Sequence, residues 1–366
     1  MAGIYVHIPF CHSKCAYCDF YSRVGAAVAA DSYISALTLE FNNRIYELDA
    51  HHVSTIYIGG GTPSILSAEQ FLRLIAVFKD FSPEEFTIEV NPEDIESSRL
   101  ETWLKSGVNR VSMGVQSLVD SELKAVGRRH SAQQAINSLK RIREAGFNNI
   151  SCDLIYGLPG QTMESWQYSV DTLIALKPEH LSAYSLTIEP HTALGVKMQR
   201  GDFSETDDDT IASFYDYLCN AASRAGYEHY EISNFALPGL YSRHNSAYWN
   251  STPYLGLGPG AHSLGADGIR RYVEPDIRRY ISNPALCLKT DHETETEKIN
   301  DIIFTSLRTA KGLDLSLIPP EFLSEFKKKA TQFEDNGIIC RNGMRIYIPE
   351  ERWLTSDAII RDLLID

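Results

Sequence analysis

Six short runs, largely apolar or β-branched, punctuate the first half of the chain: Ile4 to Ile8, Thr55 to Ile58, Phe86 to Val90, Arg110 to Val115, Ile150 to Tyr156 and Leu181 to Thr187. That is how parallel strands covered on both faces read. Helical patterns lie between them. Ile34, Leu37, Phe41, Ile45 and Leu48 recur at spacings of three and four, and Ser67-x-x-Gln70 and Ser131-x-x-Gln134 open two further helices as capping boxes, the second ending at Gly146. A repeated β-α unit of this kind predicts an α/β fold, a parallel sheet with helices outside. Periodicity leaves two topologies open, a doubly wound sheet and an incomplete (β/α) barrel, and both place functional groups at the C-terminal ends of the strands.

Beyond residue 205 the pattern changes. A helix is predicted from Thr206 to about Ala225, followed by the Tyr-rich stretch YEHYEISNF and the glycine-rich GLGPGAH. From 291 the order reads helix, helix, strand pair, helix, with ICRNGMRIYI turning on Asn342-Gly343, a strong two-residue hairpin signal. Three regions are therefore expected: 1–205, 206–290 and a small winged-helix-like module at 291–366. The last carries ten Lys and Arg against fifteen Asp and Glu, which argues for packing or partner docking and against DNA.

Composition narrows the function classes. The 366 residues exceed what one small core needs, and 43% hydrophobic with 22% charged is ordinary for a globular protein. A formal charge of −14 disfavours a phosphate-backbone partner. No apolar run reaches the roughly 18 residues that span a bilayer, and the first residues lack a signal-peptide pattern, so a cytoplasmic location is expected. Of seven cysteines, three fall within eight residues, as Cys11-x-x-x-Cys15-x-x-Cys18 directly after the first strand, and the others are scattered singly. This is ligand spacing, not a disulfide framework.

Three thiolates leave a four-coordinate metal one ligand short. Zinc with an open position is one reading, and a 4Fe-4S cluster with one iron free of protein ligands is the other. Further along stand Gly59-Gly60-Gly61-Thr62-Pro63 at the end of the second strand, then Glu89, Gln116, Arg128 and Asp153 at or near later strand ends. Taken singly, each reads first as a turn or as a solvated or ion-paired residue at a strand end. Together they offer carboxylates for an amine and ribose hydroxyls, a guanidinium for a carboxylate and an amide for either.

With CxxxCxxC after the first strand, these residues resemble the radical S-adenosylmethionine (SAM) superfamily, and their order and setting resemble its coproporphyrinogen-III-oxidase-like family over nearly the whole chain. The resemblance implies a partial (β/α)6 barrel. It implies a 4Fe-4S cluster on Cys11, Cys15 and Cys18, whose open iron is chelated by SAM, and an electron donor for that cluster. It also implies SAM contacts from Tyr5, Gly60, Gly61, Thr62, Glu89, Gln116, Arg128 and Asp153. Two branches compete: the oxygen-independent coproporphyrinogen III dehydrogenases, and the HemW branch, regarded as haem chaperones. The dehydrogenases carry another cysteine two residues after the third, where this chain has Phe20, and an extension before the first strand for which Ile4 leaves no room. His244-Asn245-Ser246-Ala247-Tyr248-Trp249 matches the HNxxYW pattern of the chaperone branch, with an imidazole for iron and aromatic faces for a macrocycle; read from the residues alone, it is equally a hydrogen-bonded histidine beside core aromatics. The expectation is therefore a chaperone whose cargo, haem, binds near His244, Asn245, Tyr248 and Trp249 and passes to apo-haemoproteins, membrane-associated ones among them. The alternative is the dehydrogenase, which decarboxylates a tetrapyrrole.

Overall fold

The computed structural model describes residues 2–25, 29–48 and 52–365. All six predicted strands form: β1 (Ala2–Ile8), β2 (Val53–Gly60), β3 (Glu85–Val90), β4 (Arg110–Gln116), β5 (Ile150–Tyr156) and β6 (His180–Ser185). They lie side by side in chain order, each parallel to the next. A doubly wound sheet would reverse its strand order at a switch point. The unbroken order is instead that of a (β/α)6 barrel left open.

The returning helices are α1 (Ala30–Arg44), α2 (Ala68–Ile75), α3 (Ser97–Lys105), α4 (Asp120–Ala125), α5 (Ala132–Glu144) and α6 (Met163–Ala175). Ser67 and Gln70 make both bonds of the expected capping box. At α5 only one half forms, the Ser131 hydroxyl accepting from the Gln134 amide at 3.2 Å. After α7 (Ala193–Gln199), α8 (Asp208–Arg224) starts two residues later than predicted, because Asp207 caps it through the Thr210 amide.

Residues 228–290, which the sequence pattern left without strands, extend the sheet at both edges. β7 (Glu228–Glu231) and β8 (Asn234–Ala236) add antiparallel beyond β6. After α9 (Arg243–Trp249), β9 (Tyr254–Leu257) adds parallel to β1, followed by antiparallel β10 (His262–Leu264), β11 (Arg270–Val273) and β12 (Leu288–Thr290), with α10 (Ile277–Ser282) between the last two. The sheet reads β12-β11-β10-β9-β1-β2-β3-β4-β5-β6-β8-β7. Strands of three and four residues carry too little period to stand out in a sequence.

A buried polar knot holds β9 and β10 against α1. Arg44 donates to the Gly256 carbonyl at 3.1 Å and the Ser263 hydroxyl at 2.9 Å while Glu47 accepts from its Nε at 2.9 Å. Glu40 accepts from the Gly258 amide at 2.9 Å and from the Tyr280 hydroxyl at 2.6 Å. Each of these buried charges is paired and hydrogen-bonded, which is what keeps their desolvation tolerable.

The C-terminal segment runs α11 (Glu295–Leu307), β13 (Leu313–Asp314), α12 (Pro320–Asp335), β14 (Cys340–Asn342), β15 (Arg345–Tyr347) and α13 (Ser356–Leu363), with its own sheet in the order β13-β15-β14. The hairpin turns one residue later than expected: Asn342 pairs with Arg345, and Gly343 (φ 61°) and Met344 form the loop. One continuous apolar core runs from Ile4 in β1 to Ile360 in α13. Among the described residues, no helix is long and apolar enough to cross a membrane.

Candidate functional site

The C-terminal ends of β1 to β6 surround a cavity of about 520 Å³, and the loop after β1 brings Cys11, Cys15 and Cys18 to its wall, none of them in a disulfide. A short parallel pairing of Phe10–Cys11 with Arg23–Val24 pins both ends of that loop. Gly60 closes β2 at φ 106°, where a Cβ would stand 2.6 Å from the His7 ring, and a Cβ on Gly61 would stand 2.7 Å from the Phe10 carbonyl oxygen and 3.0 Å from Cys11 Sγ. The glycine turn thus packs directly against the cysteine loop. Thr62 donates to Cys11 Sγ at 3.5 Å, and Arg128 to Cys15 Sγ at 3.6 Å, to Asn91 Oδ1 at 2.8 Å and to the Gly114 carbonyl at 2.7 Å. Donors aimed at ligand sulfurs stabilise thiolate charge and tune a metal centre.

Two carboxylates face the same space. Glu89 accepts from the Gly60 amide at 3.0 Å and the Tyr57 hydroxyl at 2.7 Å. Burial pushes it up to about 7, Asp153 adds to the rise, and the Tyr57 bond, the Gly60 amide and the Arg110 guanidinium oppose it. Burial likewise lifts Asp153 to about 6 against the pull of Ser182, Arg110, Ser112 and Arg128. Gln116 stands at φ 67°, a left-handed conformation uncommon for a residue with a side chain. Such strain clusters at functional sites.

Of the residues expected to hold SAM, Gly60, Gly61, Thr62, Glu89, Gln116, Arg128 and Asp153 line this one cavity. Tyr5 does not: its hydroxyl bonds His7 Nδ1 at 3.1 Å, and its ring lies 6.1 Å from Tyr57. Asn91 and Tyr184 also line the cavity without having been singled out. Asn91 follows β3 directly, so the strand-end rule would have found it.

The cysteines suit a cluster better than a single ion. Sulfurs on one zinc stand no further apart than twice a Zn–S bond of about 2.3 Å. Among the described residues, one trio of Cys, His or carboxylate ligand atoms lies mutually within 4.8 Å, and it is not Cys11, Cys15 and Cys18. A wider cradle of three soft donors, two of them receiving hydrogen bonds, fits a 4Fe-4S cluster. Burial, then the nearby Cys15 and Cys11, pushes the Cys18 thiol up to about 11, an effect a bound cluster would reverse.

The other end of the barrel is closed. α9 carries His244 in against the first residues of β1, β2 and β3: its ring nitrogens bond Thr55 Oγ1 and the Tyr248 hydroxyl, both at 2.8 Å, and Glu85 accepts from the Arg243 and His244 amides at 2.9 and 3.0 Å. His244 is 1% exposed, and burial, then Arg110, lowers it to about 3. Asn245, Tyr248 and Trp249 are half-buried, and the indole N–H of Trp249 has no hydrogen-bond partner. The motif therefore lies at the opposite strand ends from the cysteines, linked to them through Tyr57, whose ring stacks on His244 at 5.1 Å while its hydroxyl bonds Glu89.

The sequence profile of the radical SAM superfamily matches residues 5–173. The haem chaperone HemW of Bacillus subtilis is 38% identical over 98% of this chain and 98% of its own, and HemW of Lactococcus lactis is 35% identical over 99% and 97%. The chain belongs to the HemW branch of the radical SAM proteins. A 4Fe-4S cluster and SAM follow from that membership. Coproporphyrinogen III oxidase (HemN) of Escherichia coli, described as a radical SAM enzyme, superposes with a TM-score of 0.83 at 26% identity over 99% of this chain and 89% of its own. The HemW branch thus shares its architecture with HemN. In this chain Phe20 lines the cysteine cavity with 69% of its surface exposed, placing an apolar ring at the rim.

Proposed function

We propose that this chain binds haem and delivers it to apo-haemoproteins, as a chaperone of the HemW type. The observation that carries the reading is chain-length likeness to HemW proteins, end to end on both sides. Cys11, Cys15 and Cys18 would hold the 4Fe-4S cluster, which would supply a one-electron reductant beside SAM. Around it, Gly60, Gly61 and Thr62 offer backbone groups to the methionine part of SAM, and ionised Glu89 attracts its ammonium. Asp153 and Gln116 bond ribose hydroxyls, and Arg128 spreads positive charge over Cys15 and the SAM carboxylate. Haem approaches the 244–249 segment from its half-buried side, through Asn245, Tyr248 and Trp249. His244 reaches iron only when Thr55 or Tyr248 releases it.

The likeness to HemN keeps one second reading in view, a dehydrogenase acting on coproporphyrinogen III. Anaerobically reconstituted protein separates the two. The chaperone reading expects a Soret shift on titration with haem and transfer of that haem to an apo-haemoprotein, with SAM left intact in the presence of coproporphyrinogen III. Absence of any Soret shift, with coproporphyrinogen III decarboxylated as SAM is consumed, would replace it with the dehydrogenase.

A further inference from the structure

A second group of ligand-type side chains meets outside the cysteine cavity, where edge strand β7 faces the C-terminal segment. Cys219 of α8, His229 of β7 and Glu350, three residues past β15, bring a sulfur, a ring nitrogen and a carboxylate oxygen mutually within 4.8 Å. Cys219 Sγ lies 3.9 Å from His229 Nδ1, and Nδ1 lies 2.9 Å from Glu350 Oε1. The imidazole is fixed in place, stacked on Phe235 at 4.0 Å and edge-on to Trp353 at 4.4 Å. Its Nε2 faces the Ile232 carbonyl at 3.4 Å. A carboxylate and a carbonyl both only accept, and the 2.9 Å contact is the shorter, so in the metal-free chain Nδ1 donates to Glu350, and a cation at that place displaces the proton.

An independent feature points to the same spot. Tyr215 is 5% exposed, and its hydroxyl faces the Cys219 thiol. Its ring stands 6.0 Å from that of His229. The buried hydroxyl is thus beside the Cys219 sulfur and the His229 ring.

We propose that Cys219, His229 and Glu350 bind a single zinc ion as thiolate, imidazole and carboxylate, with the fourth position taken by water or by the Tyr215 hydroxyl. Sulfur with nitrogen and one oxygen is a zinc donor set, whereas magnesium and calcium take oxygen ligands. Binding releases the Cys219 proton to solvent and leaves the imidazole proton on Nε2 instead of Nδ1, where the Ile232 carbonyl supplies the outer hydrogen bond that metal-bound histidines use for orientation. The ion ties α8 and β7 to the segment that follows β15, a staple between the sheet edge and the C-terminal helices.

The test uses the full chain carrying Cys11→Ala, Cys15→Ala and Cys18→Ala, so that no cluster thiolate competes, dialysed against zinc chloride and analysed for metal. One zinc per chain is expected, with affinity falling at least about tenfold on adding Cys219→Ser, His229→Ala or Glu350→Gln. Glu350 is half exposed, so Glu350→Gln keeps the fold, and thermal unfolding followed by circular dichroism verifies that it does. Cobalt(II) in place of zinc is expected to give thiolate charge-transfer absorption that Cys219→Ser removes. Failure to bind zinc, binding unchanged in Cys219→Ser and Glu350→Gln, or a cobalt spectrum without thiolate absorption would each overturn the proposal. The cluster-reconstituted protein, analysed for zinc beside iron, must also hold the zinc.

Discussion

The two ends of the barrel use the same kinds of side chain to opposite effect. At the floor, His244, Thr55, Tyr248 and Glu85 satisfy one another, and the histidine is held far from its charged form. At the mouth, three thiols stand free of disulfides, Glu89 and Asp153 are lifted to about 7 and about 6, and Gln116 sits in a left-handed conformation. Residue type therefore does not distinguish structure from function here. What distinguishes them is room: the mouth lines a cavity of about 520 Å³, whereas at the floor both His244 ring nitrogens are taken by neighbouring side chains.

Breaking the mouth is expected to give the largest effect. With Cys11, Cys15 and Cys18 all changed to alanine, iron per chain and the cluster's visible absorption should fall to background. The cysteines lie on a loop, so unfolding stability should stay within about 1 kcal/mol of the wild type. A large loss of stability would mean that the mouth is structural as well.

The floor should respond the other way. Glu85→Ala leaves the Arg243 and His244 amides without their carboxylate acceptor. An unsatisfied buried donor costs about 1–3 kcal/mol, so denaturant unfolding should show a loss of about 2–4 kcal/mol with iron content unchanged. Wild-type stability in Glu85→Ala would refute the picture of His244 as a fixed part of the floor.

Much of this contrast was legible in the sequence, but unevenly. The six barrel strands announce themselves because strands buried on both faces are almost wholly apolar. The mouth could be read because its ligands follow strand ends at short spacing. The floor could be read only as far as a hydrogen-bonded histidine beside aromatics. Glu85 looks like one of a run of surface charges, Glu84-Glu85, and only the fold turns it inward beneath α9. Nor does a linear pattern show that His244 enters from a helix some 190 positions after Thr55 and finds both ring nitrogens engaged. Arg110 escaped notice because it opens a strand that otherwise reads as apolar, yet it lies buried in the barrel with its Nε and one terminal nitrogen unpartnered. Its charge reaches Glu89, Asp153 and His244 alike.

The finest test concerns the protons at the mouth. Glu89 titrates near 4.5 in an unperturbed setting and is raised to about 7 in the fold. Between those values the folded chain keeps a proton that the unfolded chain has released, so this group's contribution to stability declines as pH rises from about 4.5 and levels off above about 7. Binding of the SAM ammonium requires the ionised carboxylate and should run in the opposite sense, strengthening with pH. From about pH 5.5 to about 7 the affinity measured by calorimetry should rise, by no more than about tenfold per pH unit for this one proton. Glu89→Gln should weaken binding and remove the slope above about pH 6, leaving below it only the part that Asp153, itself raised to about 6, contributes. If Glu89→Gln binds SAM with the wild-type slope up to about pH 7, the ammonium is held elsewhere, and Glu89 serves instead to fix the glycine turn through the Gly60 amide.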